Sequence, residues 1–181
     1  MGVIAEIKKI DFTFIMNRMS TLIGNDIDSI RQGLSNSQNI DYYHDPAEFT
    51  ATYTLRIKDQ DITSKMIFLC TGSETIIPPI KGLDKVKYLT SDSVLDLTDL
   101  PESVAIVGGG YIAAEYGHFL SSMGSKVTII GRNPRFLPEE EPEISELANR
   151  ELSKRMTLLT NHEVREVEEK SEGRPLGSSI P

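Results

Sequence analysis

The segment from Ser103 to Ile130 reads SVAIVGGGYIAAEYGHFLSSMGSKVTII, and its pattern changes three times. Ser103–Val107 is a short apolar run of the kind found in a parallel strand covered on both faces. It feeds Gly108-Gly109-Gly110. Apolar residues then recur at helical spacing, at Ile112, Ala113, Tyr116, Phe119, Leu120 and Met123, until Gly124 supplies a helix stop. Lys126–Ile130 returns to a β-branched strand pattern. Strand, glycine turn, helix and strand at these lengths make Gly108-x-Gly110-x-x-Ala113 a dinucleotide-binding fingerprint. Gly108 permits the tight turn, Gly110 lets a pyrophosphate approach the backbone, and Ala113 is small enough for the helix to lie against the strands. Gly109, Tyr111 and Ile112 complete the expected cradle, because the helix starting near Tyr111 offers free N–H groups and its positive dipole end.

A carboxylate about 20 residues after such a fingerprint, at the end of the second strand, usually holds the ribose 2′-hydroxyl of NAD. Here that position is Gly131, followed by Arg132 and, after Asn133-Pro134, by Arg135. Guanidinium groups pair bidentately with phosphate, so the loop points to NADP(H) in preference to NAD(H).

Beyond this loop, Pro134, Pro138 and Pro142 punctuate a polar stretch. A helix with an apolar face at Ile144, Leu147, Ala148 and Leu152 is expected next, then a strand at Thr157–Thr160. The order from Ser103 is βαβαβ. Residues 171–181 are rich in Gly, Ser and Pro without periodicity and read as a disordered tail or cloning remnant. Upstream, Phe12, Ile15, Met16, Met19, Leu22, Ile23, Ile27, Ile30 and Leu34 predict a helix with one buried face. Ile40–Tyr43, Ala51–Ile57 and Met66–Cys70 read as antiparallel strands, with Asp45-Pro46 and Lys58–Asp61 as breaks. Pro78-Pro79 and Gly82 form a stiff crossing, which sets a domain boundary near residue 84. A short strand at Lys87–Thr90 and a brief helix capped by Ser91-Asp92 follow. The expected architecture is α/β: a helix and small β-layer over 1–84, then a nucleotide-binding Rossmann domain over 85–170 that is incomplete after its third strand.

The chain has 181 residues, 19 Lys+Arg against 27 Asp+Glu, and a formal charge of −8. That balance lacks the basic footprint of a nucleic-acid or anionic-membrane binder. The longest apolar run, Met66–Cys70, is far too short to span a bilayer, and no signal-like core opens the chain. One cysteine, Cys70, excludes an internal disulfide framework or a thiolate-cage metal site and suggests a cytoplasmic setting. His44, His118 and His162 are too scattered for a metal site, and Glu139-Glu140-Glu141 reads as a solvated loop.

The GGGYIAAE run, together with Thr71-Gly72-Ser73-x-x-x-x-Pro78-Pro79-Ile80-x-Gly82 and Leu89-Thr90-Ser91-Asp92, resembles the flavin-dependent pyridine nucleotide-disulfide reductases. These include glutathione, mycothione and mercuric reductases and dihydrolipoamide dehydrogenase. The resemblance implies that Thr71-Gly72 passes close to FAD, that Cys70, where the family commonly has Ala, is a small buried residue, that Tyr111 covers the flavin, and that Glu115 lies near its reactive nitrogen. It implies hydride passage from NADPH to FAD in an intact homodimeric enzyme. The family's first glycine fingerprint, its redox cysteine pair and its terminal His-Glu pair are not found in this sequence. The chain therefore reads as an internal fragment, inactive alone, whose partners are the dinucleotide and the rest of the reductase chain. The alternative is a non-catalytic nucleotide-binding or interaction module of the same fold.

Overall fold

The computed structural model describes residues 2 and 6–169; the expected tail at 171–181 lies outside them. Helix α1 (Phe12–Ser35) opens the described chain, with the Asp11 carboxylate accepting from the Phe14 N–H at 3.0 Å as an N-cap. An antiparallel three-stranded sheet follows, β1 (Ala47–Ala51), β2 (Thr54–Ile57) and β3 (Gln60–Thr63), in the order β1-β2-β3. A second, parallel sheet is built from β4 (Ser103–Val107), β5 (Lys126–Ile130) and β6 (Thr157–Leu159), in the order β4-β5-β6. Helix α2 (Tyr111–Met123) connects its first pair of strands and α3 (Pro142–Leu152) its second.

The chain divides into two compact units. One joins residues up to Arg18 with those from Ile76 onward; the other is Met19–Thr75. Residues 76–84, expected to close the first part of the chain, belong with the parallel sheet. Lys81 pairs with Glu166 in a parallel bridge, through Lys81 N–H to Arg165 C=O at 3.2 Å and Val167 N–H to Lys81 C=O at 2.9 Å. Gly82 takes φ 81 beside this link, and a Cβ there would lie 2.2 Å from the Val167 oxygen, so only glycine fits.

Among the described residues, all the buried apolar side chains belong to the unit with the parallel sheet: Phe12, Met16, Val94, Ala113, Leu120, Val127, Ile129, Phe136 and Met156. The Phe12 and Phe119 rings meet at 6.1 Å, which seats the start of α1. The short 3₁₀ helix Ser93–Asp96 takes the place of the brief helix expected after the Ser91-Asp92 cap. Its cap is an exchange between Thr90 and Ser93: the Thr90 N–H donates to the Ser93 hydroxyl at 2.8 Å, and the Ser93 N–H to the Thr90 hydroxyl at 3.3 Å. The Asp92 side chain makes no cap hydrogen bond. Lys87–Thr90 forms no strand.

Other expectations are corrected. In the Met19–Thr75 unit no described residue is buried, so the apolar face of α1 beyond Arg18 is open, with Leu22 53% and Ile30 63% exposed. Ile40–Tyr43 and Met66–Cys70 have no ladder partner among the described residues and are not strands. Ala51–Ile57 is broken by a turn at Tyr53 (φ 58), and β3 begins inside the expected Lys58–Asp61 break because Lys58 turns the chain at φ 53. The β2–β3 register places Arg56 opposite Asp61, joined at 2.8 Å and 3.1 Å; this guanidinium lowers the carboxyl pKa, its hydrogen bonds acting first. β4 is covered on one face only: Val104 and Ile106 are half-buried, while Val107 on the alternate face is 51% exposed.

Candidate nucleotide-binding site

The site lies at the carboxyl ends of β4, β5 and β6, where ligands of open parallel sheets bind. The ladder runs on past the strands: the Gly108 N–H donates to Ile130 C=O at 2.8 Å, and the Gly131 N–H to Leu159 C=O at 2.8 Å. Gly108 takes φ 124, which turns the backbone sharply out of β4. Gly110 is the N-cap of α2, in extended conformation and with no side-chain cap; the first intrahelical bond runs from the Ala114 N–H to its carbonyl at 3.1 Å. The N–H groups of Tyr111, Ile112 and Ala113 thus stand at the open end of the helix. A Cβ on Gly110 would meet no heavy atom within 4 Å, so the cradle has space above it.

The two glycine loops touch. A Cβ on Gly131 would lie 3.4 Å from the Gly109 Cα, and one on Gly109 3.7 Å from the Gly131 Cα. Gly131 is buried, and its carbonyl accepts from the His162 N–H at 3.0 Å. The following loop is pinned by the Asn161 N–H to Asn133 C=O at 3.0 Å, by the Leu137 N–H to Gly109 C=O at 2.7 Å, and by Phe136, which is 2% exposed. A small cleft results, lined among others by Gly109, Gly131, Asn133, Arg135 and Thr160. Arg135 is brought to it; Arg132 is exposed and lies outside its lining. Neither guanidinium is paired with an acid among the described residues.

Ala113 is buried as expected, but it shares the contact between helix and sheet with Gly117. A Cβ on Gly117 would stand 2.9 Å from Ile129 Cδ1 and 3.1 Å from Met156 Sδ. Ala113, Gly117 and Leu120 form a stripe at spacings of four and three, so Gly117 was legible once small residues are counted as inward-facing. Tyr111 (66% exposed) and Glu115 lie one turn apart on the solvent side of α2. Thr71 and Gly72 (φ 70) belong to the other unit, in an exposed segment without regular structure. Cys70 is exposed, not buried, because the run containing it packs into no sheet.

α3 is rotated from its expected face. Ile144 and Leu147 are 49% and 45% exposed, and Ser145 is buried instead, since its hydroxyl donates to the Leu137 carbonyl at 2.8 Å. Neither Ser145 nor Phe136 carried a signal in the sequence, the one a polar residue in a helix and the other an isolated aromatic among prolines. His118 and His44 are exposed, and His162 Nδ1 sits 2.6 Å from the Thr160 carbonyl oxygen. Among the described residues no group of three or more acids, histidines or cysteines could hold a metal, and no helix is long and apolar enough to cross a membrane.

A glycine cradle between a parallel strand and a helix, with a cleft at the strand ends, marks an α/β cofactor-binding class of protein. The chain belongs to the pyridine nucleotide-disulphide oxidoreductase family, whose profile matches residues 4–177; this is a flavin- and pyridine nucleotide-dependent family of disulfide reductases. It is 37% identical over 124 residues to a mercuric reductase of Staphylococcus aureus, covering 68% of this chain and 23% of that protein. It is 33% identical over 141 residues to a mycothione reductase of Mycobacterium tuberculosis, covering 75% of this chain and 31% of that one. The HOCl-induced flavoprotein disulfide reductase RclA from Escherichia coli is similar in structure, with a TM-score of 0.80 at 30% identity, over 90% of this chain and 38% of that one in its Cu(II) complex. The chain spans about a quarter to a third of the length of these curated relatives.

Proposed function

We propose that this chain is the nicotinamide dinucleotide-binding part, with an adjoining piece of the flavin-binding part, of a larger FAD-dependent NAD(P)H:disulfide oxidoreductase. In this reading, residues 85–170 are a Rossmann-type βαβαβ lobe and residues 1–84 the end of the flavin lobe, of an enzyme that is homodimeric and cytoplasmic. The carrying observation is the empty space above Gly110 at the uncapped start of α2, beside a φ of 124 at Gly108. A pyrophosphate fits that cradle, bound by the N–H groups of Tyr111, Ile112 and Ala113. When bound, the nicotinamide supplies a hydride that such an enzyme passes to FAD.

The chain's own residues bind and orient. Gly109 and Gly131 keep two backbone loops in contact, so the cleft beside them has a fixed floor. Gly131 carries no carboxylate to repel a 2′-phosphate, while Arg135 lines the cleft and Arg132 adds positive charge nearby, which supports NADP(H) over NAD(H). Tyr111 and Glu115 are assigned to the flavin side of the bound nicotinamide, on the strength of the family resemblance. Isothermal titration of the 181-residue chain is expected to give tighter binding of NADPH than NADH, by a margin that shrinks as salt screens the phosphate. Gly110→Val, whose Cβ meets no heavy atom within 4 Å, should abolish binding with far-UV circular dichroism retained. Undiminished binding by the folded variant would reduce the glycines to a turn.

A further inference from the structure

We propose that Ser145 is a positioning residue for this site, one that holds Leu137 in a left-handed conformation and thereby sets the spacing of the fingerprint loop and the arginine loop. The inference rests on the dinucleotide reading above. Ser145 lies in the first turn of α3, is 2% exposed, and lines no part of the cleft. Its hydroxyl donates to the Leu137 carbonyl at 2.8 Å, with the Glu140 carbonyl at 3.5 Å. Leu137 has φ 51, a region that a side-chain-bearing residue other than Asn or Asp occupies only when its surroundings impose it.

What they impose is a clamp. The Leu137 N–H donates to Gly109 C=O at 2.7 Å, inside the fingerprint, while the Leu137 C=O accepts from Ser145 and from the Glu140 N–H at 3.1 Å. One strained residue is thus tied on one side to the phosphate cradle and on the other to α3. Phe136, immediately before it, is buried with its ring 3.8 Å from the Cβ position of Gly109, and Arg135, one residue further back, lines the cleft. Relaxing Leu137 toward an ordinary φ would swing Phe136 and Arg135 together relative to Gly109. Loss of the Ser145 hydroxyl should therefore weaken recognition of the 2′-phosphate more than that of the pyrophosphate.

The test uses the full chain with Ser145→Ala, and with Ser145→Cys to keep the side-chain volume. Titration with NADPH and NADH is expected to show NADPH affinity falling about three- to tenfold, the scale of one hydrogen bond, and NADH affinity by under twofold. Amide hydrogen exchange without nucleotide should quicken at Leu137 in both variants. Adding Leu137→Asn to Ser145→Ala should recover most of the preference, because Asn takes a left-handed φ readily. Equal weakening of both nucleotides, or unchanged Leu137 exchange in a folded variant, overturns the proposal. A wild-type chain that binds neither nucleotide overturns the dinucleotide reading and the selectivity role with it, and the exchange at Leu137 then decides the clamp alone.

Discussion

The Tyr116 hydroxyl donates to the Ser91 carbonyl at 2.8 Å and ties α2 to the segment before the 3₁₀ helix. Burial raises its pKa above the ordinary phenol value, and the charges of Asp92 and Glu115 raise it further. A raised folded-state pKa means stability that is fully present below about pH 10 and lost as the pH rises through the higher folded value. Tyr116→Phe should cost about 1 kcal/mol at pH 7 by urea unfolding, and it should flatten the alkaline fall of stability. An alkaline limb of unchanged slope would show that another group carries it. At Gly131 the contact distance decides what can be built: a Cβ 3.4 Å from the Gly109 Cα stands at van der Waals contact, so the first side-chain atom fits there without displacing the loop. Gly131→Asp should therefore shift titrated preference from NADPH toward NADH, by about 1–3 kcal/mol in the difference. A folded variant that keeps its preference would remove the 2′-phosphate argument.

Between elements, the closest approach is of α2 to β5 at Gly117. Ile129 is 1% exposed and Met156 7%, so neither has space to yield when a branched side chain enters 2.9 Å from one and 3.1 Å from the other. Gly117→Val is expected to destabilise the parallel-sheet unit by about 1–3 kcal/mol in urea, beyond what helix propensity returns. A neutral effect would mean that α2 slides on the sheet. The same logic separates the two strand sets. β5, between β4 and β6, has the burial of a central strand, while β4 has one face open, so its apolar run looks like a covered strand and is not one.

Over the whole molecule, burial among the described residues is confined to one unit: nothing described between Met19 and Thr75 is buried, and Phe49, Met66 and Phe68 are among its exposed large apolar residues. A three-stranded sheet without a covered face draws little stability from its own packing. The chain also has a single cysteine, exposed at Cys70, so it holds no internal cysteine pair. The purified chain is accordingly expected to be colourless and to consume NADPH, with added FAD and lipoamide, no faster than the protein-free mixture in an absorbance assay at 340 nm. A yellow preparation that oxidises NADPH would contradict the fragment reading.

By itself the sequence determined the elements whose signal is local. The 24-residue α1, the β4–α2–β5 pattern, the glycine turn and the helix stop at Gly124 are all written in spacings of two to four residues and in backbone freedom. The three strands of the small sheet were only partly legible, because turns at Tyr53 and Lys58 use positive φ at residues that do not advertise it. Tertiary structure alone decided which faces are covered, since periodicity marks an apolar stripe and not its partner. It also decided that Ser145 turns inward in place of Ile144, that Phe136 is buried, and that the Leu137 N–H bonds the Gly109 carbonyl. Those outcomes rest on hydrogen bonds and contacts between residues up to 28 positions apart, as from Leu137 to Gly109, and no local pattern encodes them.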